Sequence, residues 1–173
     1  MLTVGKEKGI ENKMNLLLII FLLTPIQELT RYIHDCFEPI NKTRDYEQRR
    51  SYAESLIPIV IEQSDRYGID HLLVAQQIEL ESNWQITAIG ARKERGLMQV
   101  MPRLVKDRFD LKTAQGQIEA GVFILRNAIG ACRGDLLQGI NRYKSGKCKP
   151  ILKRSRWIYR NYKKMIRKYR GKK

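Results

Sequence analysis

The chain has 173 residues, of which 43% are hydrophobic and 29% charged, and this balance excludes an intrinsically disordered protein. Its length suits one domain with modest terminal extensions and leaves little room for a second domain with its own core. A formal net charge of +15 predicts a polyanionic partner, such as nucleic acid, anionic lipid or bacterial cell wall.

The first 30 residues have the pattern of a signal peptide or membrane anchor. Lys6, Lys8 and Lys13 precede an apolar run at residues 16–23, which is too short to span a bilayer but has the length of a signal-peptide core. No small-x-small cleavage site follows in residues 24–30, so an uncleaved, membrane-associated anchor stays open. A buried core helix is the alternative interpretation of the run.

Residues 31–50 are polar, contain Pro39 and Asn41 as helix breakers, and are interpreted as a connector. The folded domain is therefore expected to comprise residues 51–173, with its first helix starting near Ser51.

Helices are the predicted elements of this domain. Pro58 allows either a helix that ends before it or a new helix capped by Ser55, and Gly68 ends both versions. Asp70 is a good N-cap for a helix over residues 71–81. Apolar residues occupy most of the circumference of that helix, which predicts that it is largely buried.

Three later segments also have helical spacing. In the first, Ile118, Gly121, Val122, Leu125 and Ile129 share one helical face. Asp135 can cap a helix that runs through Tyr143. Residues 149–173 contain no acidic residue, yet their apolar side chains share one helical face, which predicts a final helix that packs on the domain and exposes its charges. Nucleic-acid binding is the less favoured interpretation of this basic segment, since Lys- and Arg-rich stretches are weak motifs.

Strands are not predicted, because no run of alternating apolar and polar residues is long enough. The sequence therefore predicts an all-α fold. The cysteines Cys36, Cys132 and Cys148 have no metal-binding spacing, and we expect neither a metal nor another cofactor. Cys132 and Cys148 can form a disulfide if the protein is exported, whereas three reduced cysteines are the alternative.

Glu81 is the candidate catalytic residue. Near the C-terminal end of a mostly apolar helix, partial desolvation and the negative end of the helix dipole both favour the protonated carboxylic acid. That form can donate a proton to a glycosidic oxygen. Glu79 points to another side of the helix and is interpreted as a solvated surface charge. Considered alone, Glu81 is more simply interpreted as an exposed glutamate at a frayed helix end.

Two motifs decide in favour of catalysis. Glu81-Ser82-Asn83-Trp84 is followed, 15 positions after Glu81, by the seven-residue block Gly96-Leu97-Met98-Gln99-Val100-Met101-Pro102. Together they closely resemble the paired motifs of the lytic transglycosylase family, which is related in fold to goose-type lysozymes.

The resemblance extends more weakly over residues 55–169. It implies an all-α, lysozyme-like fold with a catalytic cleft, and a saccharide groove lined by the residues Ser82, Met98, Gln99, Met101 and Tyr143. Lys144 departs from the family pattern, which has Asn there. The charged residues 91–95 also replace the small residues that often precede the second motif, and they could rim the cleft.

The implied activity is cleavage of the β-1,4 bond between N-acetylmuramic acid and N-acetylglucosamine in peptidoglycan. Glu81 would protonate the leaving oxygen and then deprotonate the muramoyl 6-hydroxyl, leaving a 1,6-anhydro end. A goose-type muramidase that uses water and an inactive wall-binding module are the alternatives. The implied location is exported, periplasmic or membrane-associated. An anionic membrane surface and a secretion, conjugation or phage assembly are candidate partners, and phage origin stays open.

Overall fold

A computed structural model of the chain describes residues 24–38 and 44–171. Their regular structure consists of eight α-helices and one 3-10 turn, and no strand occurs among them, which confirms the all-α prediction. The helices are α1 (residues 24–37), α2 (Arg44–Ser55), α3 (Ile57–Tyr67), α4 (His71–Ser82), α5 (Pro102–Val105), α6 (Ala114–Ala131), α7 (Leu136–Ser145) and α8 (Lys153–Arg170).

Helix α4 is the centre of the core. Its residues 72–78 are all buried, and the Asp70 carboxylate caps it by accepting a hydrogen bond of 2.9 Å from Leu72 N, as the sequence predicts. Helices α3 and α8 pack directly against α4. Helices α6 and α7 connect α3 to α8, so that these five helices form a closed ring of contacts.

The boundary between α2 and α3 resolves the choice that Pro58 left open. Helix α2 ends at Ser55, and Pro58 lies in the first turn of α3, where a missing backbone N–H costs no hydrogen bond. Ser55 does not cap α3, because its hydroxyl donates to Tyr52 O at 2.7 Å. Gly68 ends α3 in the left-handed conformation, with φ of 61°.

Helix α1 and the start of α2 correct the interpretation of residues 31–50 as a connector. Leu29, Tyr32, Ile33 and Phe37 of α1 are buried in the core, and the Phe37 ring meets Tyr46 of α2 edge-on at 5.1 Å. These four residues follow the i, i+3, i+4, i+8 spacing of one helical face, so the signal was present in the sequence. The charges around them concealed it.

Helix α1 is also fixed by charge. Glu28 is buried. Its carboxylate accepts a hydrogen bond of 2.7 Å from Arg170 Nε and lies 2.8 Å from His71 Nε2. Arg170 also binds Asp70, so the first and last described helices meet at the N-terminal end of α4. The apolar run at residues 16–23 lies outside the described residues, and within the described ranges no helix is long and apolar enough to cross a membrane.

Candidate active site

A cleft of about 890 Å³ opens at the C-terminal end of α4. Four of the six residues predicted from sequence line it, namely Glu81, Gln99, Met101 and Tyr143. They come from three parts of the chain, because α4 supplies the carboxylate, the loop over residues 83–101 supplies one wall, and α7 supplies the opposite wall. The cleft has the size of a typical small-molecule or saccharide site.

The turn after α4 directs the chain into this wall. Asn83 and Trp84 both adopt positive φ, 49° and 62°, which a non-glycine residue occupies only when packing compensates. Trp84 is 1% exposed, so its burial holds the turn in place. The Asn83 N–H donates to Glu79 O at 2.8 Å and closes the helix.

Gln117 of α6 holds the same loop from below, and sequence reasoning missed it. Its Oε1 accepts a hydrogen bond of 2.8 Å from Leu97 N, and its Nε2 donates to Ile86 O at 3.1 Å and to Leu111 O at 2.9 Å. A Cβ at Gly96 would collide with this amide, so the close approach requires glycine. The sequence indicates Gln117 only through its position immediately before Ile118, the first residue of the predicted apolar face of this helix.

Ser82 and Met98 do not line the cleft, which corrects their prediction as substrate-binding residues. The Ser82 hydroxyl lies 2.9 Å from Leu97 O and 3.0 Å from Ile78 O, so it connects α4 to the second motif. Met98 is completely buried and packs against Gly121, where a Cβ would collide with its side chain. Both residues support the wall of the cleft from behind.

Gln99 and Tyr143 are fixed by hydrogen bonds to the loop backbone. Gln99 has φ of 48°, and its Nε2 donates to Gly96 O at 3.0 Å. The Tyr143 hydroxyl donates to Met98 O at 2.7 Å and so joins α7 to the loop. Burial, together with the nearby charge of Glu81, raises the pKa of Tyr143 well above its ordinary value, so the phenol stays protonated.

Glu81 faces a cation across the cleft. Its side chain is 10% exposed, and its Oε1 accepts a hydrogen bond from Lys144 Nζ of α7, whose side chain is 19% exposed. The structure therefore gives Lys144 a direct contact with the candidate acid, at the position where the sequence departs from the family pattern.

A family model described as the transglycosylase SLT domain matches residues 58–169. The chain belongs to this family. Among the curated proteins, the comparison finds no match. The SLT domain establishes the lysozyme-like class of the fold and an action of transglycosylase type on peptidoglycan glycan strands, and hence an extracytoplasmic site of action.

The rim of the SLT domain's cleft carries charge, as the sequence of residues 91–95 indicates. Arg92 and Glu94 line it and form an ion pair of 2.9 Å. Hydrogen bonds from the backbone N–H groups of Glu94 itself and of Arg92, and from the Arg92 side chain, lower the pKa of Glu94, so it is a carboxylate at neutral pH. Glu94 is thus a second acidic group in the cleft. Asp107 and Asp110 line a separate, smaller hollow.

The α7 wall of the SLT domain is fixed from behind by a disulfide and an amide. Cys132, at the end of α6, is joined to Cys148, which follows α7, while Cys36 is free. Asn141 is completely buried, and its Nδ2 donates to Lys147 O at 2.8 Å and to Pro150 O at 3.0 Å. These contacts hold the segment after α7 against the helix.

Glu79 differs from its interpretation as a solvated surface charge. It is half-buried and accepts a hydrogen bond from the hydroxyl of Tyr32, so it connects α4 to α1. Burial raises the pKa of Tyr32 first, and the neighbouring Cys36 and Glu79 raise it further, so the phenol remains the donor. The two glutamates of α4 therefore have separate environments, one in the cleft and one beneath α1.

Proposed function

We propose that the protein is a lytic transglycosylase that cleaves the β-1,4 bond between N-acetylmuramic acid and N-acetylglucosamine and leaves a 1,6-anhydromuramoyl end. The observation that carries the proposal is the position of Glu81, a largely buried carboxyl group on the wall of the cleft, opposite Tyr143 and next to Gln99 and Met101. Family membership supports the same class of substrate.

The mechanism needs one proton, which Glu81 gives and recovers. Protonated Glu81 donates to the glycosidic oxygen as the bond to the muramoyl C1 breaks. The muramoyl 6-hydroxyl then attacks C1, and the Glu81 carboxylate accepts its proton. Tyr143 remains neutral throughout, keeps its hydroxyl hydrogen bond to Met98 O and bounds the groove on the α7 side. Gln99 and Met101 bound the groove on the loop side. No water enters the bond that forms.

Mass analysis of muropeptides after digestion of purified peptidoglycan tests both product and residue. We expect anhydromuramoyl ends from the wild type. Glu81→Gln keeps the size of the side chain but cannot donate the proton, so its rate should fall by roughly 10²- to 10⁴-fold. Glu62→Gln, at an exposed position of α3, is the matched control and should retain full activity. Unchanged cleavage by Glu81→Gln would exclude this acid.

The second candidate function is hydrolysis, and Glu94 is the observation that favours it. A muramidase that activates water benefits from a second carboxylate, and Glu94 lines the same cleft as Glu81. The same digestion distinguishes the two, because hydrolysis leaves reducing muramoyl ends. Reducing ends that disappear in Glu94→Gln would support hydrolysis and contradict the transglycosylase proposal. Anhydro ends that persist in Glu94→Gln support the transglycosylase proposal.

We also propose that the segment ahead of α1 directs export, either as a cleaved signal or as a membrane anchor, since Lys residues precede its apolar run 16–23. Residues 24–30, which the sequence assigned to this segment, belong to α1 and contribute the buried Leu29 to the core. A fusion of residues 1–41 to a reporter that is active only outside the cytoplasm should give signal. The matched control replaces two leucines of the run by Asp. Signal from both fusions, or from neither, would contradict the proposal.

A further inference from the structure

The ion pair between Lys144 and Glu81 opposes the reaction that the cleft is proposed to perform. A general acid must be protonated before it donates, whereas an ammonium group at hydrogen-bond distance stabilises the carboxylate. Both side chains are largely buried, so solvent screens their attraction less than it would at the surface. In the empty cleft, the Glu81 carboxyl group is therefore engaged by a cation rather than free to contact a glycosidic oxygen.

Helix α7 fixes the base of Lys144 but leaves the end of its side chain free to move. The helix is capped by Asp135 at its start and by left-handed Gly146 at its end, and the Cys132–Cys148 disulfide fixes the segment that follows. A lysine ammonium stands on a flexible four-carbon stem and has three rotatable donors. It can therefore exchange Glu81 for another acceptor nearby without any movement of the backbone.

The other charged groups of the cleft show which kind of acceptor can compete. Glu94 is already paired with Arg92. The Arg103 guanidinium of α5 lies 3.5 Å from the Met101 sulfur, and α6 contributes no titratable side chain to the described lining. The cleft thus has an excess of positive charge, which attracts an anion. The titratable and charged groups that line it are Glu81, Arg92, Glu94, Arg103, Arg142, Tyr143 and Lys144.

We propose that Lys144 is a specificity-determining residue, whose ammonium group leaves Glu81 and pairs instead with a carboxylate of the bound muramoyl residue. This inference rests on the proposed function. The substrate supplies such a group, because muramic acid carries a lactyl carboxylate, either free or extended by a peptide that ends in carboxylates. Once Lys144 has left it, Glu81 takes up a proton from solvent and becomes a competent acid. A neutral glycan does not release the pair.

The test compares three forms of one glycan. The first carries its stem peptides, the second has been stripped by an amidase and keeps free lactyl carboxylates, and in the third those carboxylates are converted to methylamides. Wild type should cleave the best charged form about 10- to 100-fold faster, in kcat/KM, than the neutral form, which is the range for one hydrogen bond to a charged group. The first two forms show which carboxylate Lys144 binds.

Two variants separate the ammonium from the space that it fills. Lys144→Asn introduces the residue usual in the family, and Lys144→Met keeps the length without a donor. Both should lose most of the discrimination between charged and neutral glycan, and cleave the neutral form faster than wild type does. Their melting temperatures, measured in parallel, exclude misfolding. Equal discrimination in wild type and variants, or none in wild type, would overturn the proposal.

The pH profile gives a readout that a purely structural role would not move. The kcat/KM profile follows the free enzyme, in which the ion pair is intact, whereas kcat follows the substrate complex. With charged glycan, the alkaline limit of kcat should therefore lie at higher pH than that of kcat/KM in wild type, and the two should converge in Lys144→Met. Coincident limits in wild type would count against the transfer of the ammonium.

Failure of the proposed function is distinguishable from failure of this inference. If wild type releases no product from any glycan, the function fails, and equilibrium binding of the charged and neutral glycans still decides the role of Lys144. Tighter binding of charged glycan by wild type but not by Lys144→Met supports it. If wild type cleaves all three forms at equal rates, the function stands and the inference fails.

Discussion

Ser82 connects the two motifs that carry the family pattern. Its hydroxyl lies 2.9 Å from Leu97 O, between the helix that carries Glu81 and the loop that forms one wall of the cleft. We expect Ser82→Ala to lower the free energy of unfolding by about 1 kcal/mol, the usual contribution of one hydrogen bond, and to reduce activity less than tenfold. Chemical denaturation and muropeptide release measure the two effects.

Ser51→Ala is the matched control for this prediction, because Ser51 lies exposed in α2. Stability unchanged in Ser82→Ala together with a loss of activity above 100-fold would mean that the hydroxyl binds substrate rather than the loop.

Met98 and Met101 show where sequence information stops at the residue scale. Their motif was sufficient to place both near the site. It could not assign their directions, because Gln99 between them adopts positive φ and turns the chain, so that Met98 enters the core while Met101 faces the cleft. Likewise, the substitution at Lys144 was visible in the sequence, but its contact with Glu81 depends on how α7 crosses the end of α4.

At the scale of elements, the α7 wall depends on the Cys132–Cys148 disulfide. The two cysteines are 16 positions apart, and closing a loop of that size stabilises a fold by about 3 kcal/mol in the chain-entropy model. We expect dithiothreitol to lower the melting temperature and to reduce activity, because Tyr143 and Lys144 stand on the helix that the bond fixes. Scanning calorimetry and the digestion assay measure both.

The double variant Cys132→Ser with Cys148→Ser is the matched control, since it should behave like reduced wild type and be insensitive to dithiothreitol. An oxidised wild type no more stable than this variant would contradict the prediction.

Helices with a clear capping residue or apolar periodicity were predictable from the sequence, whereas the mostly polar α2 was not. Asp70 and Asp135 were apparent as caps because each precedes a helical pattern. The buried faces of α4, α6 and α8 were apparent from apolar residues at helical spacing. Helix α2 is mostly polar, with Tyr46 and Ala53 its only fully buried apolar residues. Its position is set by tertiary packing against α1 and α3, which no local pattern encodes.

For the whole molecule, α1 is part of the catalytic domain rather than an extension of it. Leu29 and Ile33 are completely buried, so removing α1 would expose the core around α4 and α8. Deletion of residues 1–38 should therefore yield an unstable or insoluble protein, whereas deletion of residues 1–23 should leave the melting temperature nearly unchanged. Expression yield and thermal melts provide the measurement, and equal stability of the two truncations would refute the packing role of α1.

Helix α4 separates the two ends of the described chain from the chemistry. Glu28 and Arg170 meet around His71 at its first residue, and Glu81 stands ten residues farther on, about 15 Å away at 1.5 Å per residue. A tether attached ahead of α1 or behind α8 would thus hold the molecule by the end of α4 opposite the cleft. Whether anchored to a surface or fused to a carrier, the enzyme would present its cleft on the side that faces away from the point of attachment.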